Sequence, residues 1–397
     1  MFRLLSERLL LVKARHGVGP SASSSKSINL WFFHGNSSLK SISHSSESTP
    51  TDSKSLTVSY LTSSCGLSPE ATLKASKWFT LKTPKNADLV LDFLRNHGFD
   101  HTHIAKVITR SPRLLEFHPE RNLKPKMDFL TRYGFSGSQL MKILSEDPMI
   151  FTRSPERHIA PSLEILKGIV GTKEDVIEAI NRSTYLLNSS VYKKRLMPKI
   201  SSLRDHGVPA SHVTNFLLMH PNMFCTWDPN RFRTSVVKVH GMGFNPLSTR
   251  FVEAVKTMYI IKSGWEEKSE LYMNLGWSED DLLSAFKMHP TFMQYSEKKI
   301  KRVFKFFVGE LGWEPSSLSG CPVLLSHDME KRIIPRCSLL QVLLSKGLIK
   351  KDMKWTSALK LSEKRFLERF VTKYEEEAPE LMRTYQYMTE SKGTKAT

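Results

Sequence analysis

Glycine followed by a large or β-branched residue recurs along this chain at nearly constant spacing. The pairs are Gly66-Leu67, Gly98-Phe99, Gly134-Phe135, Gly171-Thr172, Gly207-Val208, Gly243-Phe244, Gly276-Trp277, Gly312-Trp313 and Gly347-Leu348, with steps of 32, 36, 37, 36, 36, 33, 36 and 35. A second marker follows in register: proline, one residue, then a hydrophobic pair. It occurs at Pro112, Pro148, Pro221, Pro290 and Pro322, and the first four of these prolines lie fourteen residues after their glycine. Thr184 stands where one proline is missing, and Lys256–Ile261 marks a degenerate copy. A fixed period of this length is the signature of a repeat architecture.

Each residue type has a physical task. Glycine suits a helix C-terminus, where the chain needs a left-handed residue. The Ser, Asp or Pro after it starts the next helix, as in Gly276-Trp277-Ser278-Glu279. Apolar residues then recur at helical spacing, as in Leu140, Ile143 and Leu144. The proline ends this second helix, and the hydrophobic pair tucks a short turn into the core. Another helix begins at segments such as Ser154-Pro155-Glu156-Arg157, with Pro155 at its first position. Pro125, Pro161, Pro198 and Pro335 fall inside these helices and should bend them or delay their start. One such unit cannot bury its apolar face alone, and stacked units can. The expected fold is all-α: an α-solenoid, or superhelix, of about eight to nine repeats, each two α-helices and a short turn. No alternating apolar run calls for a sheet.

The chain has 397 residues, longer than one compact core usually supports (about 250–300 residues). Its first sixty residues differ from the rest. They contain sixteen serines and seven basic residues (Arg3, Arg8, Lys13, Arg15, Lys26, Lys40, Lys54) against Glu7, Glu47 and Asp52. An Arg- and Ser-rich, acid-poor, amphipathic start reads as an organellar transit peptide over residues 1–60. The early arginines favour the mitochondrion, and the serine-rich stretch keeps the chloroplast as the alternative. Residues 61–375 read as the repeat domain and 376–397 as an acidic and polar tail.

The net charge is +19. Residues 61–397 keep 51 basic and 36 acidic residues, so the leader does not account for it. Such an excess favours a polyanionic partner. Nine or ten residues after each proline position stand Arg121, Arg157, Lys193 and Lys194, Arg231, Lys299, and Lys331 and Arg332; the degenerate unit has Glu266 there. These cations sit in the first turn of a helix, where the dipole disfavours them. A row of them along stacked units would match a phosphate backbone. The alternative is local pairing with the neighbouring acids Glu120, Glu156, Asp228, Glu297 and Glu330 on a solvated face.

These repeats resemble the mitochondrial transcription termination factor (mTERF) family, in its plant organellar form. The resemblance rests on the repeated Pro-x-hydrophobic-hydrophobic element, on PVLLSHDMEKRIIPRCSLLQVLLSKGLIKKD (322–352) and on FVTKYEEEAPEL (370–381), and covers roughly residues 60–380. It implies repeats of two α-helices and a 3₁₀ turn. It also implies a basic face holding double-stranded DNA or RNA, and a role in organellar transcription, including its termination, or in RNA maturation. Intron splicing or ribosome assembly is the alternative within binding proteins, and a helical protein-interaction scaffold the alternative outside them.

Chemistry is not evident. Gly241-Met242-Gly243 is an incomplete dinucleotide fingerprint, and no P-loop, HExxH or nucleophile elbow occurs. His101-Thr102-His103 reads as a surface pair at a helix start. Cys65, Cys225, Cys321 and Cys337 form no metal spacing and read as buried free thiols. No apolar run is long enough to span a bilayer. The expected protein is therefore a non-enzymatic monomer that uses no cofactor and no metal. Its partner is nucleic acid, and its protein partners are open.

Overall fold

The computed structural model describes residues 50–188, 191–261 and 264–390; the transit-peptide reading of the first segment therefore lies almost wholly outside them. Among the described residues there are helices and turns and no strand. A representative unit runs Pro155–Val170, Lys173–Arg182 and Thr184–Leu187: first helix, second helix, 3₁₀ turn. The same order repeats from Pro119 and Glu297; from Tyr192 the closing element is the short α-helix Pro221–Thr226, and from Met329 the second helix is followed by the helix Glu363–Phe370. Successive units pack on one another through one continuous apolar core.

All nine repeat glycines adopt positive φ. At Gly134 (φ 114°) the Phe135 N–H turns back to Leu130 O at 3.1 Å, the six-to-one bond that closes a helix end with a left-handed residue. Phe135, 2% exposed, is thereby folded into the core. The following Ser136 caps the second helix in a reciprocal box with Gln139, and Ser278 does so with Asp281.

The internal prolines act through a specific device. In four first helices the opening turn is wide, with i→i+5 bonding: Pro119–Leu123, Pro155–Ile159, Tyr192–Leu196 and Met329–Ile333. Each is followed at its second residue by Pro125, Pro161, Pro198 or Pro335. The residue before each proline bonds five residues back, as Ala160 N–H does to Pro155 O. Widening the turn removes the clash between the proline ring and the carbonyl four residues earlier. Pro229–Gly241 has no such proline and is α-helical from its start.

The degenerate unit is visible as well. Thr249–Ile260 is a helix of twelve residues, and among the described residues no 3₁₀ turn separates it from the next helix at Gly264. In the Thr184 unit the turn forms without proline, and Thr184 is buried. The fold extends beyond the limits read from composition. Pro50–Ser63 is a helix whose Tyr60 and Leu61 are buried, and Glu380–Glu390 buries Leu381 and Tyr385. Serine-rich or acidic composition hid these apolar faces. Phe366 and Phe370 share a short helix, but the chain breaks at Val371, so Tyr374 lies in a separate turn.

All four cysteines are free and buried. Burial pushes the Cys65 thiol up to about 12 and Cys225 to about 11. No helix among the described residues is long and apolar enough to cross a membrane.

A Cβ on Gly276 (φ 99°) would stand 2.9 Å from Pro315 Cγ in the next unit. Gly276→Ala should therefore lower unfolding free energy by about 1–3 kcal/mol through strain alone, with the clash adding to it, as read by urea denaturation.

Candidate nucleic-acid interface

The cap geometry shows that the first-turn cations share one register. The backbone N–H of Arg157 donates to Ser154 Oγ, that of Arg231 to Asp228 Oδ1, that of Lys299 to Ser296 Oγ and that of Lys331 to Asp328 Oδ1. Each is thus the third residue of its helix, held by the residue that caps it. Arg121 follows Pro119 and Glu120 in the same way.

Their side chains divide into two sets. Arg231 Nη2 donates to Tyr259 O at 2.7 Å, Lys299 Nζ to Ser326 O at 3.1 Å and Arg332 Nη2 to Leu361 O at 2.6 Å. All three acceptors lie at the carbonyl end of the helix or turn that closes the same unit. Arg121, Arg157, Lys194 and Lys331 are exposed, and no side-chain hydrogen bond or ion pair engages them among the described residues. The side chain of Lys193 is outside the described set. Pro148, Pro221, Pro290 and Pro322 are buried at the start of their turns, and Pro112 is partly buried.

The first set belongs to a wider pattern that the sequence reading missed. Asn86 Nδ2 reaches Leu115 O and Phe117 O; Arg195 Nη1 reaches Thr226 O; Lys268 Nζ reaches Tyr295 O. One turn deeper, Lys199 Nζ donates to Met223 O (3.1 Å) and Phe224 O (2.7 Å), and Arg336 Nη1 to Leu359 O and Leu361 O. Lys199 and Arg336 are fully buried. Short helices end in carbonyls with no partner of their own, and cations are favoured there. The signal was present in the sequence as a polar residue at this register. What it touches depends on how the rest of its unit folds back against it. Aromatic rings hold some of these cations in place: Arg231 lies over Tyr259 at 4.8 Å, Lys299 over Tyr295 at 4.1 Å and Arg336 over Phe366 at 4.4 Å.

Local pairing with the first-turn acids does not engage the exposed set. Glu120 binds Lys124, Glu297 binds Lys301 and Glu330 binds Arg302. Glu156 accepts from Ser154 Oγ and Asp228 from the Arg231 N–H. Exposed Arg121, Arg157 and Lys194 therefore stand at one register of three consecutive units, with Lys331 at the same register further on. The first helices carrying Arg121 and Arg157 also make no side-chain bond to the carbonyl end of their own unit, among the described residues.

Burial dominates the other titrations. Desolvation, followed by repulsion from Arg332 and Arg336, pushes His327 down to about 4, so it is neutral at physiological pH. His103 pairs with Asp100 at 2.8 Å at its helix start, and no His, Cys, Asp and Glu group suited to a metal occurs among the described residues. The cavity of about 460 Å³ between Trp313, Cys321, Met353 and Trp355 is open and carries no acid–base pair.

The fold and this register define a helical-repeat protein with exposed cations in the first turn of successive units. A family model described as mTERF matches residues 91–263 and 256–367, and the chain belongs to the mTERF family. That places it among nucleic-acid-associated regulators of organellar gene expression. The chain is similar to transcription termination factor MTERF8, chloroplastic, of Arabidopsis thaliana, with 24% identity over 203 residues. The match covers 51% of this chain and 39% of the relative, so the chain spans well under half of that protein's length.

Desolvation pulls the Lys199 ammonium down to about 8 from its usual 10.5. The folded protein then releases this proton before the unfolded chain does. Stability should rise between about pH 8 and pH 10.5 from this group, because the unfolded state binds more protons there. The difference in unfolding free energy between wild type and Lys199→Met should widen in favour of wild type over that interval. A pH-independent difference would assign Lys199 an unshifted titration.

Proposed function

We propose that this protein binds double-stranded nucleic acid in an organelle through Arg121, Arg157, Lys194 and Lys331, and that it regulates transcription there, including termination. The observation that carries this reading is the shared register of four exposed cations with no side-chain partner among the described residues. A cation at a helix N-terminus opposes the dipole. In the other units that cost is offset by carbonyls at the end of the same repeat; here a phosphate would offset it. Phosphates recur at regular intervals, as stacked units do. Lys193 remains part of the proposed row. Arg231, Lys299 and Arg332 contribute mainly by tying the first helix of a unit to its closing helix or turn. No enzymatic role is proposed: the family is non-enzymatic, and the described residues hold no catalytic constellation.

Transcription is preferred over splicing because the relative is named a transcription termination factor. The relative is also named chloroplastic, which favours the chloroplast over the mitochondrion that the early arginines suggested. A fluorescent fusion of the full chain, imaged against plastid and mitochondrial markers, separates the two. Signal outside both organelles would overturn the organellar assignment.

The row is tested with Arg121→Gln, Arg157→Gln, Lys194→Gln and Lys331→Gln combined. Duplex affinity should fall by roughly tenfold per contact at 0.1 M salt, and the slope of log K against log salt should become shallower by about 3–4. The circular dichroism spectrum and unfolding midpoint should stay near wild type, since surface changes are usually within about 0.5 kcal/mol each. Unchanged affinity and slope in a folded variant would refute the row.

A further inference from the structure

The most exposed large hydrophobic residue among those described is Trp78, at 80%. It follows the short helix Pro69–Ala75 and precedes the helix at Pro84. The segment is anchored on both sides. Phe79 and Leu81 are buried at 3% and 5%, and Leu81 N–H donates to Thr57 Oγ1 at 2.9 Å within the core. Trp78 N–H itself bonds Ala75 O at 3.0 Å. The indole is therefore presented by an ordered backbone, outward from a segment whose alternate residues point inward.

Four lysines surround it in sequence: Lys74, Lys77, Lys82 and Lys85, all exposed and none ion-paired among the described residues. No acidic residue occurs between Glu70 and Asp88. A lone indole with four cations and no counter-charge matches a polyanion that also offers a flat apolar face. We propose that Trp78 and these lysines bind an unpaired nucleic-acid strand, with one base stacked on the indole and the lysines on flanking phosphates. Aromatic stacking needs an unpaired base and tolerates any sequence. The argument for this surface rests on Trp78 and its lysines and does not depend on duplex binding by the Arg121 register.

Other occupants fit less well. The chain's own first sixty residues are themselves basic, seven cations against three acids, so charge opposes their docking here. A second copy could offer its acidic Glu375–Glu377, but its exposed end supplies little apolar surface for the indole beyond Tyr387. An anionic membrane would need more apolar area than one indole with Leu73 provides.

The test uses the full chain with a 16-nucleotide oligothymidylate, a blunt duplex of equal length and phosphatidylserine vesicles. Trp78→Ala should weaken oligothymidylate binding by about tenfold, and Trp78→Phe should restore most of it. Replacing the four lysines by Gln should make the salt slope shallower by about 3, at about 0.7 per single-strand phosphate. Duplex affinity should be unchanged by Trp78→Ala, whereas the Arg121, Arg157, Lys194 and Lys331 variant should show the reverse pattern. Equal oligothymidylate binding by wild type and folded Trp78→Ala would overturn the proposal. So would a Trp78-dependent loss of vesicle binding or of self-association with oligonucleotide affinity intact.

Discussion

The structure depends on how the carbonyl ends of short helices find partners. A chain cut into turns and helices of some three to seventeen residues has many ends, and each leaves carbonyls without an intrahelical donor. In most units the donor comes from the unit's own first helix: Asn86, Arg195, Lys199, Arg231, Lys268, Lys299, Arg332 and Arg336 each reach the end of the turn or helix that closes the unit. The second helices carry a set that crosses between units, in which Arg110 binds Glu146 O, Lys142 binds Asn181 O and Arg182 binds Leu218 O. Apolar burial drives the stacking. The first set of directional bonds fixes how each unit folds back on itself, and the second fixes which face of one unit meets the next.

The same register therefore serves two purposes. A cation at the third helical position can turn toward the closing end of its own unit, as Arg231 and Lys299 do, or stay in solvent, as Arg121 and Arg157 do. The choice follows the neighbour. Where Tyr259 or Tyr295 supplies a ring and a free carbonyl lies beyond it, the side chain is captured. In the Tyr192 and Met329 helices adjacent cations divide the work: Arg195 and Arg332 bind carbonyls while Lys194 and Lys331 remain exposed. The excess charge of this chain is thus partly structural, and net charge alone overstates what is free to meet a ligand.

Much of the architecture was legible in the residues. Glycine spacing located the left-handed helix ends, and the Pro-x-hydrophobic-hydrophobic element located the closing elements, 3₁₀ turns at Pro112, Pro148, Pro290 and Pro322 and a short α-helix at Pro221, because both depend on local backbone chemistry. The degenerate copy at Lys256–Ile261 shows no such turn among the described residues. Pro161 and its equivalents announced a disturbance, but not that it takes the form of a wide turn that leaves the helix continuous. The ends of the fold were obscured because serine-rich and acidic compositions masked Leu61 and Leu381. The register of the cations was legible as well. Their partners were not, since whether Arg231 meets water or Tyr259 O is decided by a residue about thirty positions away.

The most direct measurement is a structure of the full chain with a bound duplex. The account predicts the side chains of Arg121, Arg157 and Lys194 at charge-assisted hydrogen-bond distance, about 2.7–2.9 Å, from phosphate oxygens, with Arg231 still on Tyr259 O. A duplex seated elsewhere, with Arg157 and Lys194 in solvent, would contradict it.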